Sequence, residues 1–235
     1  MMKKIWDKLS FIYILSFYSR RYHTHSRKIA EIIKYDENHV KSCIKYDPEN
    51  NALPGFERYL NNGWYKYMMA RYLYGCGYIK GKKVLDSGCG LGWGSYLISE
   101  DAASVLGVDN DKSSVEFAST HWRSENLCFK QWSVAELDRL DGNFDIILSY
   151  EVMEHLPYPL LERYVEGMAR KLNGNGRVIA SSFFPNKELN CKLNDKNTLH
   201  VAFHGQDTIK NLFEKKGFSD CSFIGRYMFQ AKKKG

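Results

Sequence analysis

Between Val84 and Ser95 the chain reads VLDSGCGLGWGS: a short apolar run, an acidic residue, then glycine at 88, 90, 92 and 94. An apolar run that ends in closely spaced glycines marks a strand turning sharply into a helix, because glycine enters left-handed backbone without steric cost. The same alternation continues downstream. SVLGVDND, LCFKQWS, FDIILSYEV and GRVIASSFF read as strands, whereas GSYLISEDA, SSVEFASTHWRSE and YPLLERYVEGMARKLN carry helical periodicity. Strands alternating with helices require an α/β fold, a parallel sheet wound on both faces. Ahead of the glycine run, FERYLNNGWYKYMMARYLYGCGYI places Trp64, Tyr67, Met68, Arg71 and Tyr72 at helical spacing and stops at Gly75 and Gly77.

The rest of the chain is subordinate to that unit. With 235 residues, 44% of them hydrophobic, it has material for one sizeable core. Residues 56–235 are expected to form the main domain and 1–55 an N-terminal helical extension and loop. Residues 36–55 hold both early prolines and several Asn and Asp, and read as a loop-rich connection. In the first segment Ile5, Leu9, Ile12 and Leu15 or Ser16 recur at helical spacing between basic residues. This predicts an amphipathic helix that docks on the domain or on a second copy in a homodimer, with contact to an anionic membrane surface as the other reading. Its uncharged run is too short to span a bilayer, and it has no small-residue cleavage site.

The net charge of +7 suggests a polyanionic partner until it is located. Seven Lys/Arg against Asp7 within residues 1–30, and Lys232 to Lys234 at the other end, account for more than the whole excess. The body is left slightly acidic, which argues against tracking a nucleic-acid backbone. The six cysteines, at 43, 76, 89, 128, 191 and 221, form no C-x-x-C pair and no zinc-ligand spacing. They read as reduced, mostly buried thiols of a cytoplasmic protein.

The ligand follows from spacing. Counting G-x-G-x-x-G from Gly88 puts Trp93 where a dinucleotide fingerprint needs its third glycine. The loop reads D-x-G-x-G-x-G-x-G instead, with Asp86 at the strand end. A carboxylate there repels a pyrophosphate and attracts a cationic group such as an ammonium. Asp109, at the end of the next strand, is placed to accept from both hydroxyls of a ribose. An amino-acid moiety and a ribose together describe S-adenosylmethionine better than NAD.

VLDSGCGLGWGS, GVDNDKSSVEFA and SYEVMEHL resemble motifs I, II and IV of class I S-adenosylmethionine-dependent methyltransferases, a likeness that covers about residues 55–230. Within them the chain most resembles small-molecule, sugar-type enzymes of surface-glycan pathways. The resemblance implies a doubly wound, mostly parallel seven-stranded sheet of Rossmann-like type. It also implies that Asp86, Gly88, Cys89 and Gly90 hold the methionine portion of the cofactor, Asp109 the ribose, and Asn110 the adenine side. Tyr150, at the end of the fourth strand, is expected against the cofactor. QWSVAELD departs from the usual G-D-A at the adenine edge, which leaves Ala135 and Glu136 as the candidates there.

SYEVMEHL carries a second constellation. On a helical turn Glu151, Glu154 and His155, at i, i+3 and i+4, share one face. Two carboxylates and an imidazole suit Mg²⁺ or Mn²⁺. The pattern E-x-x-E-H is similar to one in ubiquinone-biosynthesis O-methyltransferases and in small-RNA 3′-terminal 2′-O-methyltransferases. There it holds a metal with a downstream histidine, and His200 matches better than His204. Without a metal, Glu154 caps the turn and His155 or His200 serves as general base. Trp64, Tyr65, Tyr67 and Trp93 either stack an acceptor ring or belong to the core.

Methyl transfer to a hydroxyl of a sugar, nucleotide sugar or similar polyhydroxy compound is the expected function. An N-methyltransferase of a small amine or phosphoamine is the alternative, followed by an RNA 2′-O-methyltransferase and a cofactor-binding protein without activity.

Overall fold

The computed structural model describes residues 64–187, 189–190 and 200–235, together with positions 24, 27 and 31; for 64–66 and 189–190 it describes the backbone alone. The amphipathic helix expected at Ile5 to Leu15, the loop of residues 36–55 and the expected dimer contact lie outside the described residues.

Helix α1 (Trp64–Cys76) leads into β1 (Lys83–Ser87), and α2 (Trp93–Ser99), β2 (Ser104–Asp109), α3 (Lys112–His121) and β3 (Leu127–Gln131) follow. A 3₁₀ segment at Val134–Arg139 precedes β4 (Phe144–Tyr150), and a short 3₁₀ turn at Met153–His155 precedes α4 (Tyr158–Lys171) and β5 (Leu172–Ser181). The chain then makes a small hairpin, β6 (Leu189–Asn190) with β7 (Ala202–Phe203), and ends with α5 (Gln206–Lys215), β8 (Phe218–Ile224) and β9 (Met228–Lys233). The main sheet has seven strands in the order β3-β2-β1-β4-β5-β9-β8. The first five are parallel, and β9 runs antiparallel between β5 and β8.

Period-two alternation in the central strands explains why both faces are covered. Val84, Ile146, Leu148 and Ile179 belong to a core with α1, α2 and α3; their neighbours Leu85, Ile147, Val178 and Ala180 belong to a second core with α4 and α5. Helix α4 supplies Leu161, Tyr164, Val165 and Met168 to that second core, one stripe at helical spacing. The Tyr164 hydroxyl lies 2.9 Å from Ser87 Oγ and 3.0 Å from Ser149 Oγ, so the helix is also tied to the ends of β1 and β4. The sequence NGNG, residues 173–176, lies within β5. It forms a bulged start to β5, with Leu172 paired to Phe144 and Arg177 to Ile146, and Asn175 turns through a left-handed φ of 64°.

Strand order reverses at β1, which lies between β2 and β4. A crevice outside the carboxyl ends of these strands is where a doubly wound sheet takes its ligand. The ends concerned are Asp86 and the glycine loop, Asp109, and the stretch from Tyr150 to His155. Among the described residues no helix is long and apolar enough to cross a membrane.

Candidate active site

The glycine loop closes onto β2. Gly88 and Cys89 donate backbone N–H groups to Val108 O at 2.8 and 2.9 Å, and the Trp122 indole donates to Leu91 O at 2.6 Å. Gly88, Gly90 and Gly92 all have left-handed backbone, at φ 81°, 52° and 77°. Packing within the protein calls for three of the four glycines. A Cβ on Gly88 would overlap Val152, one on Gly92 would overlap Ala118 and Phe129, and one on Gly94 would fall inside the Tyr72 ring. Gly90 is different, because its N–H donates to Asp109 Oδ2 at 2.8 Å and joins the loop to the end of β2.

Asp109 also accepts the Asp111 N–H on Oδ1 at 2.9 Å. Each carboxylate oxygen retains a lone pair, so a half-buried Asp109 suits the adjacent hydroxyls of a ribose. Burial raises its pKa, against the opposing pull of these backbone donors. Asp86 does not stand open in the crevice as a direct ammonium contact would need. It is fully buried, with the Ser95 hydroxyl at 2.6 Å and the Tyr72 hydroxyl at 3.1 Å, both donating to Oδ2. Burial pushes its pKa up to about 6, although the two hydroxyls hold it down. The Cys89 thiol is buried and its pKa is also raised by burial.

On the adenine side Asn110 is exposed, and its carbonyl accepts from Gln131 Nε2 at 3.1 Å. Ala135 N–H donates to the Ser133 hydroxyl at 3.3 Å, capping the 3₁₀ segment. The Glu136 carboxylate pairs with Arg139 at 2.9 Å. Tyr150 is buried, and its hydroxyl donates to Arg71 O at 3.0 Å, so the phenol anchors α1 to β4. Trp93 is core: it is buried and packs edge-on against Tyr72 at 5.1 Å. Tyr67 is half-buried, and the Trp64 and Tyr65 side chains lie outside the described residues.

The E-x-x-E-H segment departs from the expected helical face. Glu151 has a left-handed φ of 56°, so no regular turn starts after β4, and only Met153–His155 forms a 3₁₀ turn. Glu151 is drawn elsewhere. Its Oε1 meets Arg71 Nη1 at 2.8 Å and accepts from Ser181 Oγ at 2.9 Å. Of the four residues expected to hold a metal, the structure brings three together. Ligand atoms of Glu154, His155 and His200 lie within 4.8 Å of one another, and Glu151 stands apart on Arg71.

Glu154 is buried, and its Oε2 has no hydrogen-bond partner among the described residues. Burial and the neighbouring Glu151 charge drive its pKa well up, against a Ser182 hydrogen bond and the Arg71 charge. The rings of His155 and His200 lie 4.9 Å apart. Val201 N–H, at 2.8 Å from Glu154 O, pins the segment that carries His200 onto the turn. His204 is a structural residue: it is buried, with Nε2 at 3.0 Å from Leu156 O.

Sequence reasoning missed Arg71, Tyr72, Ser95 and Ser181, which hold the two acidic groups in place. The one available signal was Arg71, an arginine within the apolar stripe of a helix.

The chain matches a family described as a methyltransferase domain over residues 79–217. It is 31% identical over 148 residues to a probable S-adenosylmethionine-dependent methyltransferase of Mycobacterium tuberculosis, covering 62% of this chain and 52% of that protein. It is 32% identical over 106 residues to a ubiquinone biosynthesis O-methyltransferase of Coxiella burnetii, covering 44% of each. The chain thus spans about half the length of the curated relatives it matches. Among solved structures, a S-adenosylmethionine-dependent methyltransferase of Archaeoglobus fulgidus superposes with a TM-score of 0.60 at 19% identity, covering 75% of this chain and all of that one. Magnesium protoporphyrin IX methyltransferase of Synechocystis, with bound S-adenosylhomocysteine, gives 0.54 at 20% identity, covering 71% and 81%. These two likenesses speak for the fold, and with the family match and the site geometry they place this chain in the class I S-adenosylmethionine-dependent methyltransferases.

Proposed function

We propose that the protein transfers the methyl group of S-adenosylmethionine to a hydroxyl of a small polyhydroxy acceptor, such as a sugar or nucleotide sugar, using a divalent cation at Glu154, His155 and His200. The observation that carries the reading is Glu154 Oε2, a buried carboxylate oxygen without a hydrogen-bond partner among the described residues, gathered with two imidazoles at the crevice. A buried carboxylate is costly unless something positive completes it, and one carboxylate beside two imidazoles suits a transition-metal ion such as Mn²⁺ better than Mg²⁺.

The cofactor supplies a methyl already activated on a sulfonium. Glu154, His155 and His200 would hold a cation that, when bound, would lower the pKa of a coordinated hydroxyl. What remains for the chain is to align the acceptor, exclude water and remove one proton. Asp109 and Gly90 fix the ribose end; His155 and His200 would hold the cation, with the hydroxyl proton passing to solvent, and only without a cation is either imidazole available as the base. A small amine acceptor would need only to arrive unprotonated and would leave the Glu154 cluster without a task.

The test is calorimetric titration of Mn²⁺ into the protein saturated with S-adenosylhomocysteine, beside a Glu154→Ala variant. Binding in the parent and its loss in the variant is the expected result. An unresponsive parent would remove the cation from the mechanism and turn the search to amines.

A further inference from the structure

From the proposed cation site a continuous run of aromatic side chains leads away. The His200 ring lies 5.1 Å from Phe203, Phe203 lies 5.4 Å from Phe183 at 83°, and Phe183 lies 5.7 Å from Tyr227. The rings come from three separate stretches: β7, the residue pair after β5, and the turn between β8 and β9. Backbone hydrogen bonds fix that meeting. Ser182 N–H donates to Tyr227 O at 3.2 Å and Phe184 N–H to Arg226 O at 2.7 Å, and Val201 N–H holds the β7 stretch to Glu154. Phe183 and Phe203 are only half-buried, and Tyr227 is 41% exposed, one of two large hydrophobic side chains so exposed among the described residues.

Phe183, Phe203 and Tyr227 open outward, beyond the carboxyl end of β5, where a doubly wound sheet receives its ligands. Phe183 and Phe203 stand nearly perpendicular and form a corner rather than a flat wall. A corner of this kind takes a rigid ring with one face against one aromatic surface and an edge against the other, and leaves the substituents at the ring's far edge near His200.

We infer that Phe183, Phe203 and Tyr227 form the acceptor subsite, and that the acceptor is a six-membered ring with an apolar face and adjacent hydroxyls. This inference rests on the proposed hydroxyl chemistry at Glu154, His155 and His200, and it adds the shape of the molecule that brings the hydroxyl. A pyranose and a catechol share the required chemistry.

The experiment titrates methyl β-D-glucopyranoside and catechol separately into the full chain saturated with S-adenosylhomocysteine, with and without Mn²⁺, and follows ring-proton saturation transfer. At least one ring is expected to bind. Tyr227→Ala is expected to weaken it by about tenfold, with Tyr227→Phe close to the parent and S-adenosylhomocysteine binding unchanged. Phe183→Leu provides a second variant on a different stretch of chain and is expected to weaken the same ring. The ring that binds identifies the source, sugar or aryl. Failure of both rings to bind, or binding indifferent to Tyr227→Ala and Phe183→Leu, overturns the subsite. Ring binding that depends on Tyr227 while Mn²⁺ fails to bind would overturn the cation reading and keep the subsite.

Discussion

Gly94 is the position where a single methyl group should do most damage. It lies in helical backbone in the first turn of α2, where alanine would ordinarily stabilise a helix by about 1 kcal/mol. Here the added Cβ would fall well under 3.0 Å from three atoms of the Tyr72 ring. That ring cannot swing away. It is 4% exposed, with Trp93 at 5.1 Å and Tyr150 at 4.9 Å, and its hydroxyl donates to buried Asp86. Overpacking costs about 1–3 kcal/mol, and loss of a hydrogen bond to a charged group about 1.5–3 kcal/mol. Against these the helix gain is small, so Gly94→Ala should destabilise by roughly 3 kcal/mol, or on the order of 6–12 °C in Tm for a domain of this size. The decisive assay is a double-mutant cycle with Tyr72→Leu, followed by thermal unfolding. In the leucine background the clash is absent, and the same alanine should cost little or stabilise slightly. Equal penalties in both backgrounds would refute the account, because they would locate the cost in the backbone of α2 rather than at Tyr72.

Three other outcomes follow from the same contacts. Arg71→Leu should cost roughly 3 kcal/mol, since breaking a buried ion pair strands its partner; adding Glu151→Gln should recover part of that in urea unfolding. The Asp86 carboxyl, raised from its ordinary 3.8 to about 6, binds its proton more tightly in the folded state. Stability should therefore be greatest below pH 4 as far as this group is concerned. It should fall as pH rises toward 6, by at most about 3 kcal/mol, while S-adenosylhomocysteine affinity climbs over the same range; Asp86→Asn should flatten both slopes. Gly88→Ala meets two penalties, about 1–2 kcal/mol for left-handed backbone and an overlap with Val152. Val152→Ala should relieve only the second, as chemical denaturation of the pair would reveal.

What the sequence made legible were properties that repeat along the chain or belong to one residue and its neighbours. The order of strands and helices was enough for a doubly wound sheet, whose period-two strands place neighbours such as Val84 and Leu85 on opposite faces. The ends of β1 and β2 were likewise visible, because Asp86 and Asp109 each close an apolar run. The errors share one physical origin: a partner distant in sequence. Glu151 was assigned to a helical face by spacing, yet Arg71, eighty residues earlier, offers its carboxylate a buried cation at 2.8 Å, and the backbone turns left-handed there. The crowding behind the glycines was hidden for the same reason, because their neighbours in space, Val152, Ala118, Phe129 and Tyr72, cannot be read from VLDSGCGLGWGS. Arg71 was the exception that spacing could have exposed. A guanidinium on the apolar stripe of α1 must find an anion inside the fold, and the acidic groups at the crevice are the natural place to look. The same logic favours Glu154 over Glu151 as the cation ligand: of two carboxylates three residues apart, one already has its cation, and the other is buried with an oxygen still to be satisfied.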